Sequence, residues 1–399
     1  MPFSATSPPR MFTLVLVTAL SVLSLNMFLP SLSNMAADFG VDYALVALSV
    51  GGFLGISAVL MLIMGPLSDR FGRRPVLLAA LAVFTLASLV CALSTNIWVF
   101  LAFRVLQGAA NAGWAVSLAV IRDVSPPQEA ASRIGYVTMA MAVAPMLGPI
   151  FGGALDELFG WRASFVVFVV LGAAAFVLCW LDLGETNKTP SETFVTQFQD
   201  YPELFASRRF WGYALCMAFS TASFHAFLAG APLVAVTLLG LSPAVLGFYM
   251  GTITAGFAVG SFLSGRLAAR HALTTMMIAG RLVACAGLAV ALILQVSGFV
   301  YALSLFGAIV FVGMGNGLTM PSSNAGALSV RPRLAGSASG LVGALTVGGG
   351  AVMSSITGAS VTEETGAYAL LGMMLLCTLM GLAAALAVRG IDRREGGGA

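Results

Sequence analysis

The chain has little charge and almost no lysine. Only 9% of its residues are Asp, Glu, Lys or Arg, and Lys188 is the one lysine; soluble domains average about 25%. With 59% hydrophobic residues in a 399-residue chain, there is too little polar surface to cover one aqueous core. A soluble globular class is therefore excluded, and the chain reads as a polytopic membrane protein. The net charge of +3 is small, and no nucleic-acid partner is expected. Cys91, Cys179, Cys216, Cys285 and Cys377 all fall inside apolar runs without a C-x-x-C pair. They read as small packing residues, not as a disulfide framework or a zinc site. There is no H-E-x-x-H, no G-x-S-x-G and no G-x-x-x-x-G-K-[ST], so metalloprotease, serine-hydrolase and ATP-driven chemistry are not encoded. The chain is not expected to be an enzyme, and no cofactor or metal is expected.

Long apolar runs are abundant. A helix needs about 20 such residues to cross roughly 30 Å of hydrocarbon. Twelve segments qualify: 11–36, 44–67, 75–94, 97–121, 132–155, 162–182, 211–238, 243–268, 273–296, 299–327, 335–359 and 366–388. The first is read as a permanent helix, not as a cleaved signal peptide. With the N-terminus placed inside, sixteen of the nineteen basic residues fall on the inner side, and only Arg162 falls outside. That bias sets both termini in the cytoplasm. Arg104 and Arg281 are left within spans.

An internal repeat supports the count. "LSDRFGRR" (67–74) realigns with "LSGRLAAR" (263–270), "GVDYA" (40–44) with "GLSPA" (240–244), and "LNMFL" (25–29) with "FHAFL" (224–228). The offsets are nearly equal and close to half the chain. The expectation is an all-α membrane fold of two pseudo-symmetric six-helix bundles, 1–182 and 211–399, joined by a cytoplasmic linker at 183–210. Repeats of this kind place a substrate path between the halves, near the midplane.

Four motifs are more specific. "GPLSDRFGRRP" (65–75) lies between the second and third spans, "RVLQG" (104–108) in the fourth, "PMLGPIFGG" (145–153) in the fifth, and "LGET" (183–186) after the sixth. Together they resemble the major facilitator superfamily over essentially the whole chain. "FLPSLSNMAADF" (28–39) and "AGSASG" (335–340) resemble its Bcr/CflA-like drug-resistance branch. The resemblance implies a secondary active transporter that exports small, drug-like molecules by alternating access, in exchange for protons. It also implies the cytoplasmic membrane of a bacterium and a monomer. An uncoupled or uptake carrier for a metabolite is the alternative on the same fold. In the family, the charges of the first motif form a gate against neighbouring helix ends. Here that set is Gly65, Asp69, Arg70, Gly72, Arg73 and Arg74, with Arg122, Asp123 and Arg133 as local partners.

The polar residues within spans make sense by themselves. Arg104, Gln107, Asn111 and Trp114 are spaced to share one helix face. A polar stripe in a membrane helix faces protein or water, so this one marks either a functional site or a packed hydrogen-bond network. At 1.5 Å per residue, Arg104 and Asn26 reach similar depths, which makes Asn26 a candidate partner for Arg104. The Bcr/CflA pattern commonly has an aspartate at that position. All sixteen acidic residues map to loops or helix ends. Proton coupling therefore needs another titrating group, and His225 in the seventh span is the mid-span candidate; Asp38 is the reserve. His225 either titrates or lends a neutral hydrogen bond. Asn316 and its neighbours give the tenth span a polar inner half, and by family analogy it lines the cavity with the first, fourth and seventh. Phe28, Met139, Met141, Phe224 and Phe227 are candidate apolar contacts. Arg281 is close enough to the inner surface to snorkel. Pro145 and Pro149 can kink the fifth helix, while Gly148, Gly152 and Gly153 permit close helix approach.

Overall fold

A backbone in hydrocarbon must satisfy its own N–H and C=O groups, and a single segment does so only as a helix. The computed structural model describes residues 9–125, 127–187, 201–267, 270–299, 301–331, 334–362 and 366–394, and among these there is no strand. Side chains at 65, 66, 122, 127–132, 134–136, 138–143, 146, 201 and 335–337 lie outside that description; Gly65, Arg122, Met139 and Met141 fall there.

The chain order is as follows. Helix α1 runs Met11–Asn26 and continues through a 3-10 turn, Leu29–Ser31, into a helix Leu32–Phe39. Then come α2 (Tyr43–Phe71) and α3 (Arg73–Leu93). Helix α4 begins as Ile97–Leu106, tightens to a 3-10 turn over Gln107–Asn111 and resumes as Ala112–Val124. The first half closes with α5 (Pro127–Phe159) and α6 (Arg162–Asp182). A short helix, Tyr201–Phe205, precedes α7 (Arg208–Thr237), α8 (Pro243–Leu267) and α9 (Leu273–Val296). The last three are α10 (Ala302–Ser329), α11 (Ala335–Ser360) and α12 (Gly366–Arg394). Among the described residues, eleven are long and apolar enough to cross a membrane, and α5 adds a further helix of 33 residues.

Local chemistry sets the boundaries. Pro30 lacks an N–H, and its ring clashes with the carbonyl four residues back, so the regular ladder of α1 stops at Asn26. The Asn96 side chain accepts from the backbone N–H groups of Trp98 and Val99, at 2.8 and 3.4 Å, and starts α4. The connection expected at 65–75 is shorter than its sequence suggested: α2 continues to Phe71 and α3 begins at Arg73. Gly72 alone makes the turn, at φ +94°, a backbone conformation that favours glycine.

Each end of the bundle has its own polar contacts. At the end where α1 begins and α12 finishes, Arg209 pairs with Asp392 at 2.6 Å, Arg331 with Glu203 at 2.9 Å, and the Arg10 N–H donates to Asp182 at 2.7 Å. At the opposite end Arg162 pairs with Asp38 at 2.6 Å, and Asn34 donates to Asp156 at 2.8 Å. There the halves also meet directly. The Tyr43 hydroxyl donates to the Ala229 carbonyl at 2.5 Å, and Ser33 to the Pro232 carbonyl at 3.4 Å.

The halves join along α2 with α11 and α5 with α8. The second seam is reciprocal. Both helices contain a Pro-x-x-x-Gly, at Pro149–Gly153 and Pro243–Gly247. A Cβ on Gly153 would collide with the Pro243 carbonyl, and one on Gly247 with the Pro149 carbonyl. Each glycine thus lets the other helix's backbone approach, as small residues do at membrane interfaces. Gly152 and Gly148 serve another contact, seating α5 on Met27 and Asn26 of α1. Gly153→Val and Gly247→Val are each expected to destabilise the purified protein by about 1–3 kcal/mol, the cost of overpacking. Thermal unfolding in detergent reads this as a lowered Tm. Gly265→Ala, where a Cβ meets nothing within 4 Å, should leave Tm unchanged.

Candidate functional site

Arg104 is fully buried, and none of its contacts is to a carboxylate. Its Nη1 donates to Gln107 Oε1 at 2.6 Å, and its Nη2 to the Ser24 carbonyl of α1 at 2.6 Å. The guanidinium lies over the rings of Phe28 and Phe53, 4.1 and 4.5 Å from their centroids. A desolvated cation over an aromatic face gains about 2 kcal/mol, and charged hydrogen bonds add about 1.5–3 kcal/mol each. Together these offset the several kcal/mol that desolvating the ion costs. Gln107 in turn donates to Ser88 of α3 at 2.6 Å. The end of α1 supplies the acceptor, because Ser24 lies in the last turn of the helix, where carbonyls lack the next helical N–H.

Two expectations change here. Asn26 is not a partner of Arg104. Its Nδ2 donates to its own helix, at the Val22 carbonyl, 2.8 Å away, and its Oδ1 is buried without a partner. Equal depth did not mean equal direction, because the Ser24 carbonyl occupies the approach. The stripe on α4 also divides. The 3-10 turn advances the helix by about 120° per residue in place of about 100°. Asn111 thereby reaches Ser57 of α2, at 2.6 Å, and Trp114 is half-buried against the core of the first half.

The second half contains a matching feature that the sequence reading underrated. Arg281 on α9 does not snorkel; it is fully buried. Its Nη2 donates to Asn316 Oδ1 at 2.6 Å and its Nε to Thr319 Oγ1 at 3.0 Å, both on α10. Asn316 spans the gap by donating to the Ser220 carbonyl of α7 at 3.2 Å. The signal was the polar run on α10: an amide and a hydroxyl three residues apart make one face, and Arg281 is what they hold.

Asn316 also lines a cavity of about 230 Å³. Pro145 of α5 borders it from the first half. From the second half come Thr221, Phe224 and His225 of α7, Ile253, Thr254 and Phe257 of α8, and Gly313 and Met320 of α10. The expected helix set was the first, fourth, seventh and tenth. Here the fifth and eighth replace the first and fourth, because the Pro/Gly seam draws α5 against α8. Of the expected cavity residues, Phe224, His225 and Asn316 are present. Asn26, Phe28, Arg104, Gln107, Asn111 and Trp114 lie elsewhere in the first half, and Phe227 is buried against Phe306. His225 Nδ1 lies 2.9 Å from the Thr221 carbonyl. A carbonyl only accepts, so Nδ1 bears the proton of the neutral ring and Nε2 is the atom left to gain one. Gly350 of α11 makes room for the imidazole: a Cβ there would stand 2.7 Å from Nδ1. A second, wider apolar space of about 580 Å³ lies between α2, α7 and α11, bounded by Ala58, Leu215, Phe219 and Leu345.

The charged turn is bound into the first half. Arg73 pairs with Asp69 at 2.5 Å and Asp123 at 3.1 Å, and donates to Ser68 at 2.6 Å. Arg74 donates to the Trp180 carbonyl at 2.8 Å and lies over its ring, and Arg70 lies over Phe71. Arg133 also has an interaction partner. The residue missed is Glu185. Its Oε1 accepts from the Arg73 N–H at 2.9 Å and its Oε2 from the Arg74 N–H at 3.2 Å. A carboxylate thus sits on the N-terminus of α3, where unpaired N–H groups and the helix dipole favour an anion. Gly72 must lack a side chain for this, since a Cβ would displace that carboxylate. The "LGET" motif was the available signal. Asp38, the reserve candidate for coupling, is engaged by Arg162 and by Trp161 Nε1, the latter at 3.2 Å.

Two six-helix bundles around an apolar cavity, with a charged turn between the second and third spans, define a polytopic membrane transporter. A profile of the Major Facilitator Superfamily matches residues 14–355, and the chain belongs to that family. It is 32% identical to the uncharacterized MFS-type transporter YdgK of Bacillus subtilis, covering 93% of this chain and 92% of the relative. It is 30% identical to multidrug resistance protein D of Escherichia coli, covering 92% of each. To a bicyclomycin resistance protein homolog of Haemophilus influenzae it is 28% identical, covering 90% and 91%. These relatives agree with the Bcr/CflA-like motifs. In fold it is similar to a bacterial homolog of the human lysosomal transporter Spinster, in an inward-facing and occupied conformation. That match has a TM-score of 0.77 at 19% identity and covers 98% of each chain.

Replacing Glu185 tests the charged turn. Glu185→Ala is expected to lower stability by about 1–3 kcal/mol, the cost of losing charged hydrogen bonds to two N–H groups. The readout is Tm in detergent, and Glu185→Gln should recover part of the loss. An unchanged Tm in Glu185→Ala would show that Glu185 does not support the turn.

Proposed function

We propose that this transporter exports small, drug-like molecules across the cytoplasmic membrane of a bacterium by alternating access, in exchange for protons, and that it works as a monomer. Residues 1–182 and 211–399 act as two bodies joined by the linker 183–210, with both termini in the cytoplasm. The observation that carries this reading is the apolar cavity bounded by α5 of one half and α7, α8 and α10 of the other. A site at the boundary of two halves changes sides when they rock. The strong basic bias toward one end supports the orientation. On that orientation the Tyr43–Ala229 and Ser33–Pro232 contacts close the outer side. The half of α7 nearer the cytoplasm, at Leu215 and Phe219, faces the wider space. The cavity is therefore read as inward-facing. The names of the relatives, multidrug resistance protein D and a bicyclomycin resistance protein homolog, support drug-like cargo.

A second reading, an uncoupled carrier, is favoured by Asn26, which cannot exchange a proton where the branch commonly has an aspartate. Expression in a pump-deficient host separates export from inactivity: a lowered susceptibility to at least one compound of an antibiotic panel is expected, and none would refute export. Proteoliposomes separate the two mechanisms. Export driven by an imposed pH gradient supports antiport, whereas equal rates with and without the gradient establish the carrier.

In this reading the charged turn is a gate, with Asp69 as its pivot through Arg73. Asp69→Asn is expected to reduce transport about tenfold, the equivalent of one lost charge-assisted bond, while membrane insertion stays normal. Transport at the native rate would reduce the turn to an anchor.

A further inference from the structure

Away from the helix ends, the described interior of this protein is one-sided in charge. Two guanidiniums, Arg104 and Arg281, are completely buried within spans, and every carboxylate in the chain maps to a loop or helix end. Arg281 stands directly behind the cavity wall, since Asn316 lines the cavity with the same amide that accepts from Arg281 Nη2. The wall's polar groups are largely committed to the protein. Asn316 Nδ2 donates to the Ser220 carbonyl, Thr221 Oγ1 to the Met217 carbonyl, and His225 Nδ1 to the Thr221 carbonyl. What remains is mainly apolar: Phe224, Phe257, Ile253, Met320 and Pro145.

We infer that the cavity takes uncharged lipophilic compounds and excludes permanent cations. The inference rests on the export reading above and names its substrate class. A cation entering here would lose its water, meet no carboxylate and feel an enclosed guanidinium one residue away, in surroundings where charge is poorly screened. The faces of Phe224 and Phe257 attract a cation, but by much less than that loss of hydration. A neutral compound meets none of these penalties and gains apolar contact with adaptable Met and Phe side chains. The rule predicts how to reverse itself. Asn316→Asp puts a carboxylate of nearly the same shape on the cavity wall, where Arg281 already donates; it gives up the bond to the Ser220 carbonyl and neutralises the positive charge.

The test compares chloramphenicol, which is neutral, with tetraphenylphosphonium, a permanent cation of apolar surface, in proteoliposomes under one pH gradient and zero membrane potential. The native protein should transport the neutral probe at least tenfold faster. Asn316→Asp should raise the cation-to-neutral ratio at least tenfold, a gain that misfolding cannot imitate. Should that variant fail to transport either probe, Thr254→Asp, on the α8 wall of the same cavity, should produce the same gain. Cation transport within twofold of the neutral probe in the native protein overturns the inference and leaves export standing. A ratio unmoved by both carboxylate variants also overturns it. Transport of neither probe by the native protein overturns both readings together.

Discussion

A guanidinium placed in hydrocarbon has no water to solvate it, so protein groups must replace that water or the helix bearing it will not stay inserted. Here Arg104 is held by a backbone carbonyl, a glutamine oxygen and two aromatic faces, while its Nε has no hydrogen-bond partner. Much of the first half follows from this. Helix α1 must bend at Pro30 near the Ser24 carbonyl, α4 must tighten where Gln107 turns between Arg104 and Ser88, and α2 must present Phe53. Arg281 repeats the solution in the second half with an asparagine and a threonine. Neither site uses a carboxylate, and that choice fixes the electrostatics of everything between them.

The halves are held together differently. Where α5 meets α8, two glycines rest on two proline carbonyls. Such a contact is close but not bonded, which suits surfaces that separate and rejoin. The hydrogen bonds that close the far end, from Tyr43 and Ser33, are few and end on backbone carbonyls. The charged turn, by contrast, is densely bonded, to Asp123 and Trp180 of the first half and to the start of the linker, where Glu185 is the anion on α3. Its copy in the second half has Gly265 in place of Asp69, with open space around it. The two halves are alike in fold and unlike at this turn.

The span pattern and the two-bundle fold were legible in the sequence, because twenty apolar residues in a bilayer have one regular solution. Boundaries were less so: α2 ran on through "GPLSDRF" because polar residues at a membrane surface can stay helical until Gly72 stops them. Site residues were legible by type and depth but not by direction. His225, Phe224 and Asn316 reach the cavity as their helices suggested. Asn26 does not reach Arg104, because depth along a helix says nothing about azimuth after a proline bend. Arg281 was misjudged for the same reason. A position in the inner third of a span permits snorkelling, but the azimuth on α9 directs it onto α10. The cavity's α8 residues were not foreseen, since Ile253 and Phe257 carry no chemistry that distinguishes them from lipid-facing apolar residues until the α5–α8 seam is known.

Under the antiport proposed above, with no acid in the path, proton exchange would fall to His225, whose Nδ1 is held by the Thr221 carbonyl and whose ring borders the cavity. If that antiport makes substrate and proton compete for one site, substrate binding must expel the proton. The direct measurement is the number of protons released when a saturating transported compound is added to purified protein in weakly buffered detergent. It is followed as a function of pH. The account expects release approaching one proton per protein at the acidic end, vanishing at the alkaline end, and absent in His225→Gln. Equal release from the native protein and His225→Gln would contradict it.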